Sequence, residues 1–160
     1  MTETSTPPFR YTDAPGHPGW MRWELADSTR FNSLFGPFLI KVEDRIARVR
    51  MTPGHLHSNL SNAVHGGALL GFVDMALFAA SRGFGLIEAG TAVTLDLSTQ
   101  FIGRAVVDVP VEAQVELLRE TGRLLFLRGL VVQGEGDSAE TILAFAGTIR
   151  KPSQKTGAGS

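Results

Sequence analysis

Asp74 is the only acid in the apolar run from Ala63 to Ala80, and His65-Gly66-Gly67 opens that run eight residues earlier. A helix apolar almost all round is buried, in a core or a membrane. A lone carboxylate inside it carries a desolvation cost of several kcal/mol unless something compensates. Two readings follow. Asp74 is a desolvated general base or nucleophile, or it is a buried acid satisfied by a hydrogen bond or an interface partner. The Gly pair supplies the second half of a possible site. The first amides of a helix lack internal acceptors and lie at the positive end of its dipole. Glycines there let a carbonyl under attack approach the backbone.

The spacing limits how these groups cooperate. Eight helical residues separate Gly66 from Asp74 by about 12 Å. One substrate carbonyl cannot touch both in one chain, but a two-fold dimer could bring Gly66 of one chain to Asp74 of the other. Asn59 lies six residues before His65. It orients water or the acid, or it forms a turn. His65 bonds locally or caps the helix.

Other chemistry is weakly supported. His55-x-His57 with His65 invites a zinc site. No Asp or Glu stands at a familiar ligand spacing, so no metal is expected. Phosphate-binding loops, dinucleotide fingerprints and Gly-x-Ser-x-Gly are absent, so no cofactor and no serine elbow are expected. The chain lacks Cys, which removes disulfides and thiolate chemistry.

The elements that must position these residues follow from periodicity. Residues 1–18, rich in Thr, Pro and Gly, read as a loose arm. Asp27-Ser28 looks like the start of a short helix with Phe31, Leu34 and Phe35 on its buried side, ended by Gly36-Pro37. Phe38–Glu43 and Arg45–Met51 read as strands joined by a tight turn at Asp44. The buried helix runs from about Gly66 to Arg82, stopped by Gly83 and Gly85. Beyond Gly90 the period changes to two. Val93 to Phe101, Val107 to Leu118, Leu124 to Gln133 and Thr141 to Arg150 read as strands. The expected class is α+β: an antiparallel sheet of about six strands around one long apolar helix, with a short N-terminal helix. A single domain over 19–151 and a flexible tail over 152–160 complete the expectation. A sheet covers only one side of such a helix, so self-association is expected.

Composition excludes some partners. The 160 residues carry a net charge of −1, with 43% apolar content and no basic block, so no nucleic-acid footprint is expected. The 18-residue apolar run is near the lower limit for a membrane span and contains His65, Asp74 and three glycines, so no membrane partner is expected. Met1 to Pro8 lacks the charged start and apolar core of a signal peptide, and the expected location is cytoplasmic.

Asn59, His65-Gly66-Gly67 and Asp74-x-Ala76 together resemble the hotdog-fold acyl-CoA thioesterases. The nearest branch is the phenylacetate-pathway (PaaI-like) and Arthrobacter-type 4-hydroxybenzoyl-CoA thioesterases, and the resemblance covers about Phe35 to Lys151. It implies a sheet wrapped around one long helix, and hydrolysis of acyl-CoA by a homodimer or dimer of dimers (a homotetramer). It implies that the Gly66 amide meets the thioester carbonyl while Asp74 of the facing subunit attacks or activates water. Asn59 and His65 would shape the site, and Thr94 would aid the acid or the water. Arg104, after the following strand, would meet CoA phosphates. The substrate pocket is expected along Gly67 and the helix face of Gly71, Met75 and Phe78. The hydratase pattern of Asp, Asn and His in one short run, and the His-Phe-Pro of the dehydratases, are absent. A non-catalytic acyl-CoA-binding domain of the same fold is the alternative. A structural β-protein whose Asp74 is an interface residue is the third reading.

Overall fold

The computed structural model describes residues 7–88 and 92–153. Eight antiparallel strands form one sheet: β1 (Phe9–Asp13), β2 (Met21–Leu25), β3 (Phe38–Glu43), β4 (Ile46–Met51), β5 (Val93–Phe101), β6 (Val111–Glu120), β7 (Leu124–Gln133) and β8 (Glu140–Arg150). Their spatial order is β1-β2-β3-β4-β6-β7-β8-β5. One helix, α1 (Gly66–Gly83), lies against the concave face.

Alternation explains this packing. Ala47, Val49 and Met51 of β4, and Val111, Ala113 and Val115 of β6, point inward and are buried. They meet Phe72, Val73, Ala76 and Leu77 of α1 in one core. Gly147 of β8 allows a close approach of the helix, because a Cβ there would stand 2.5 Å from Leu77 Cδ1. The β3–β4 hairpin turns through Asp44 and Arg45, both at positive φ, as a two-residue turn that follows the strand twist requires. Past the end of α1, Gly85 at φ +74° takes the left-handed position favoured after helices. Among the described residues no helix is long and apolar enough to cross a membrane.

Three expectations need correction. The sheet has eight strands rather than about six, because Phe9–Asp13 and Met21–Leu25 pair in register from Phe9↔Leu25 to Asp13↔Met21. Residues 9–13 are therefore not part of a loose arm. The pair was hidden because each strand is five residues long and Pro and Gly crowd the connection. The expected N-terminal helix is only a 3-10 turn, Phe31–Leu34. Asp27 Oδ1 accepts from the Thr29 amide and hydroxyl, which closes a local turn in place of a helix cap. Phe31 stays 66% exposed. Finally, the strand expected from Val107 starts at Val111, because Asp108 at φ +64° and Pro110 belong to the preceding turn. Of the 152–160 tail, only Pro152 and Ser153 fall within the described residues.

The N-terminal strands extend the wrap. Phe9 stacks on Trp23 with centroids 4.3 Å apart, and Trp23 on Phe38 at 6.0 Å. The Arg82 guanidinium lies 4.5 Å over the Tyr11 ring, which ties β1 to the end of α1.

Candidate active site

His65 caps α1 from an extended conformation, and its Nδ1 accepts from the Gly67 amide at 2.8 Å. This satisfies one orphan amide of the helix start. It also withdraws Gly67 as an oxyanion donor and makes Nδ1 the unprotonated nitrogen of the neutral ring. The Gly66 amide has no acceptor among the described residues. A Cβ on Gly66 would sit 3.3 Å from the Phe101 ring, so the glycine lets the C-terminal end of β5 close on the helix start.

Asp74 is half-buried, a little over two turns into α1. Thr94 Oγ1 donates to its Oδ1 at 2.6 Å. Thr94 faces the helix because β5 slips register between Thr94 and Asp96, leaving Leu95 and Asp96 outward. Oδ2 of Asp74 has no hydrogen-bond partner among the described residues.

Met75 and Phe78 of α1 line a cavity of about 150 Å³ together with Ile87 and Glu88, while neither Asp74 nor Thr94 is among its lining residues. Ala92, two residues before Thr94, borders it, and Phe9, Trp23 and Asn32 close it from the N-terminal segment. The edges β1 and β5 thus reach one hollow. Gly71 is not part of it: a Cβ there would stand 2.5 Å from Phe35 Cζ, so its role is to seat that ring. Trp23 is buried, yet its indole N–H has no acceptor among the described residues. An unpaired buried donor costs about 1–3 kcal/mol. Sequence reasoning missed Phe9, Trp23 and Asn32 as walls of this cavity. The only available signal was the pair of tryptophans, Trp20 and Trp23, in an otherwise ambiguous stretch.

The loop before α1 is held by side chains. Asn59 Oδ1 accepts from Ser61 N (3.0 Å), Ser61 Oγ (2.9 Å) and Ala63 N (3.1 Å), which is the turn-forming arrangement. Arg104 Nη2 donates to the Ser61 carbonyl at 2.6 Å. His57 Nδ1 accepts from the Gly54 amide and its Nε2 donates to the Leu34 carbonyl, so neither ring nitrogen is open to a metal. No group of three metal-binding side chains occurs among the described residues.

The sequence-derived residues therefore fall into two groups. Asp74, Thr94, Met75 and Phe78 meet at the N-terminal end of β5. Asn59, His65, Gly66, Gly67 and Arg104 gather near its C-terminal end.

The fold is shared with several solved structures. PaaI, a phenylacetic acid degradation protein from Thermus thermophilus (a mutant form), matches with a TM-score of 0.59 at 22% identity, covering 75% of this chain and 96% of that one. PaaI from E. coli gives 0.60 at 19%, covering 71% and 78%. A hypothetical thioesterase with coenzyme A from Streptococcus pneumoniae gives 0.62 at 19%, covering 74% and 88%. These likenesses show the fold. No curated protein matches. The family model described as Thioesterase superfamily matches residues 61–140, half of the chain, which spans the helix start, Asp74 and Thr94; the chain belongs to the thioesterase superfamily.

Proposed function

We propose that the protein hydrolyses acyl-CoA thioesters as a two-fold dimer with shared sites. One observation carries this reading. Gly66 packs beside Phe101 at one end of β5, while Asp74 is bonded to Thr94 at the other end. Those ends are about 23 Å apart along the strand. β5 is an edge of the sheet. Antiparallel pairing of two β5 edges about a two-fold axis exchanges the ends. It brings Thr94 and Asp74 of one chain toward Gly66 of the partner subunit.

In that arrangement the thioester carbonyl accepts from the Gly66 amide of the partner subunit. Water held by Thr94 and Asp74 attacks the carbonyl carbon, and Asp74 Oδ2 takes its proton. Collapse of the tetrahedral oxyanion breaks the C–S bond, and the CoA thiolate leaves and is reprotonated. Alternatively Asp74 itself attacks and forms an anhydride that water cleaves. After a single turnover in ¹⁸O-water, label in Asp74 marks an anhydride cleaved at the Asp74 carbonyl. His65 holds the helix start, Asn59 and Arg104 hold its loop, and the Arg104 N–H groups not bonded to Ser61 would meet a CoA phosphate. A cytoplasmic location and a dimer of dimers accompany this reading.

The test is a hydrolysis screen over acyl-CoAs of varied length and aromaticity, with released CoA read by a thiol reagent. The chain has no Cys to interfere. Turnover that Asp74→Asn abolishes supports the proposal. Tight binding of acyl-CoA with no release of CoA would replace it with the binding-domain alternative.

A further inference from the structure

We infer that the Leu70 side chains of the two protomers meet at the dimer axis and form the wall that ends the acyl pocket of both sites. Leu70 is then a specificity-determining residue for acyl length. The inference rests on the proposed two-fold hydrolase and names the class of acyl group that it prefers.

Spacing and exposure single this residue out. Leu70 stands four residues after Gly66 and four before Asp74. Each step of four rises about 6 Å and turns only about 40° round the helix, so the three share one face. Leu70 is 37% exposed and is the single large apolar side chain of α1 that is exposed. Leu69, Phe72, Val73 and Leu77 around it are buried in the core. The open face of α1 thus runs through Gly67, Leu70 and half-buried Asp74. It is not the expected line of Gly71 and Met75, because Phe35 covers Gly71 and Met75 lies inside. A lone exposed leucine needs no explanation. One that stands midway between an oxyanion amide and its acid has a defined neighbour in the dimer.

Symmetry fixes that neighbour. In an isologous pair, if residue i meets residue j, then j meets i. Pairing of two β5 edges runs the α1 helices antiparallel on the same side of the sheet. Exchange of Gly66 and Asp74 then sets the position halfway between them opposite its own copy. That position is Leu70. It meets Leu70 of the partner subunit at the axis, about 6 Å along the helix from either acid.

The direction of the substrate follows from the loop before α1. Ala63 pairs with Val106, and Arg104 bonds the Ser61 carbonyl, beyond the C-terminal end of β5 and so away from the axis. A wide hollow lined by His55, Leu60 and His65 lies on that side. The CoA arm, drawn to Arg104, leaves through it. The acyl group occupies the other bond of the trigonal carbonyl carbon and is directed toward the axis, where two leucines stop it. A reach of about 6 Å suits short acyl groups over long ones.

The test is a series of straight-chain acyl-CoAs from acetyl to palmitoyl. In the wild-type dimer kcat/KM should fall off beyond a short chain. Leu70→Ala opens the wall from both sides. It should raise the ratio of the first rejected length to the best substrate by about 10-fold or more, while Leu70→Phe should shorten the longest accepted chain. A second measurement reads the axis directly. The chain has no Cys, so Leu70→Cys carries one thiol, and o-phenylenedimaleimide should join it into a covalent dimer on a denaturing gel. Val42→Cys is the control. Val42 is 43% exposed but lies beside Gly83, about 20 Å from Leu70 along α1, and should not be joined. A Leu70→Cys protein that is dimeric by light scattering yet resists cross-linking would overturn the inference. So would a wild type that accepts every length equally, or an unchanged length profile in both Leu70→Ala and Leu70→Phe. A wild type that is monomeric, or that turns over no acyl-CoA, would instead bring down the two-fold hydrolase and the inference with it.

Discussion

Thr94 Oγ1 donates to Asp74 Oδ1 across 2.6 Å, joining a strand to a helix over 20 residues of sequence. This bond occupies one carboxylate oxygen and leaves the other unpartnered among the described residues. It also fixes the acid's orientation on the helix. A hydroxyl that donates to the acid still has lone pairs to accept from a water, so the same residue can seat the nucleophile.

Asp74→Asn should fold normally and lose activity. The amide keeps the shape and can still accept from Thr94, but it cannot take a proton. Loss of a general base lowers kcat by about 10²–10⁴-fold. Steady-state kinetics on the best substrate of the screen check this, and a wild-type rate would remove Asp74 from the chemistry.

Thr94→Val is the nearly isosteric loss of the donor. A hydrogen bond to a charged group contributes about 1.5–3 kcal/mol, so kcat should fall about 10–100-fold with KM little changed. Thr94→Ser retains the hydroxyl and should recover most of the rate. A Val variant that changes KM alone would mean that Thr94 only packs.

Much of this arrangement was legible in the sequence, for identifiable reasons. The period-two alternation of β7 and β8, and the unbroken apolar helix, are local signals that survive folding, whereas in β5, which carries a bulge, Val93, Leu95 and Phe101 stay exposed. Asp74 stood out because an acid in such a helix needs a partner. Thr94 was reachable only by resemblance, since the bulge that turns it inward lies between Thr94 and Asp96 and has no sequence signature. Phe9 and Trp23 were not legible as pocket walls. Their strands are short, and what places them beside Met75 is closure of the sheet's two edges over the helix, a long-range event. Gly71 lay on the expected pocket face by helical spacing, yet the incoming Phe35 ring decides its neighbour.

Glu112 links acid stability to the outer face of the sheet. Burial pushes its carboxyl up, but hydrogen bonds from Arg48, Gln114 and Arg50 outweigh this and hold it below the usual range. A carboxylate with a depressed folded value stabilises the fold above its unfolded value and loses that contribution as pH falls through the folded one. Wild-type stability should therefore drop below about pH 4.3, the ordinary glutamate value, and go on dropping until the carboxyl protonates in the fold. Glu112→Gln should be less stable at pH 7 by about 1–3 kcal/mol, with a flatter acid limb. Denaturant melts of both proteins from about pH 7 down to about pH 3 check that the two curves converge as the pH falls.

Gly129 sits where β6 and β7 leave no room for a side chain. A Cβ there would press on the Gln114 carbonyl of the neighbouring strand and stand 2.6 Å from Phe145 Cζ. A backbone atom cannot swing aside as a side chain can, so Gly129→Ala must part the strands or push the buried Phe145. Overpacking of this kind costs about 1–3 kcal/mol, or roughly 2–12 °C in melting temperature for a domain of this size. An unchanged melting temperature would mean that the sheet yields there freely.

The proposed shared site makes a stronger demand than dimerisation alone. Leu95, Phe101 and Ile102 on and beside the β5 edge are each more than half exposed, and a long apolar edge calls for a cover. Light scattering should give at least twice the 17.2 kDa chain mass. Complementation then tests who supplies what. Gly66→Pro removes the oxyanion amide at the first helical position, where proline is tolerated, and His65 already has the extended backbone that precedes proline. Gly66→Pro and Asp74→Asn homodimers should each be nearly inactive. Co-expressed in equal amounts, half of the dimers are mixed by chance. In each mixed dimer one site joins the intact Asp74 of one chain to the intact Gly66 amide of the other, so activity should return to about a quarter of wild type. If Gly66 and Asp74 served one site within a single chain, every site in the mixture would carry a defect and the mixed preparation would stay inactive. That result would sink the two-fold arrangement even with the dimer mass confirmed.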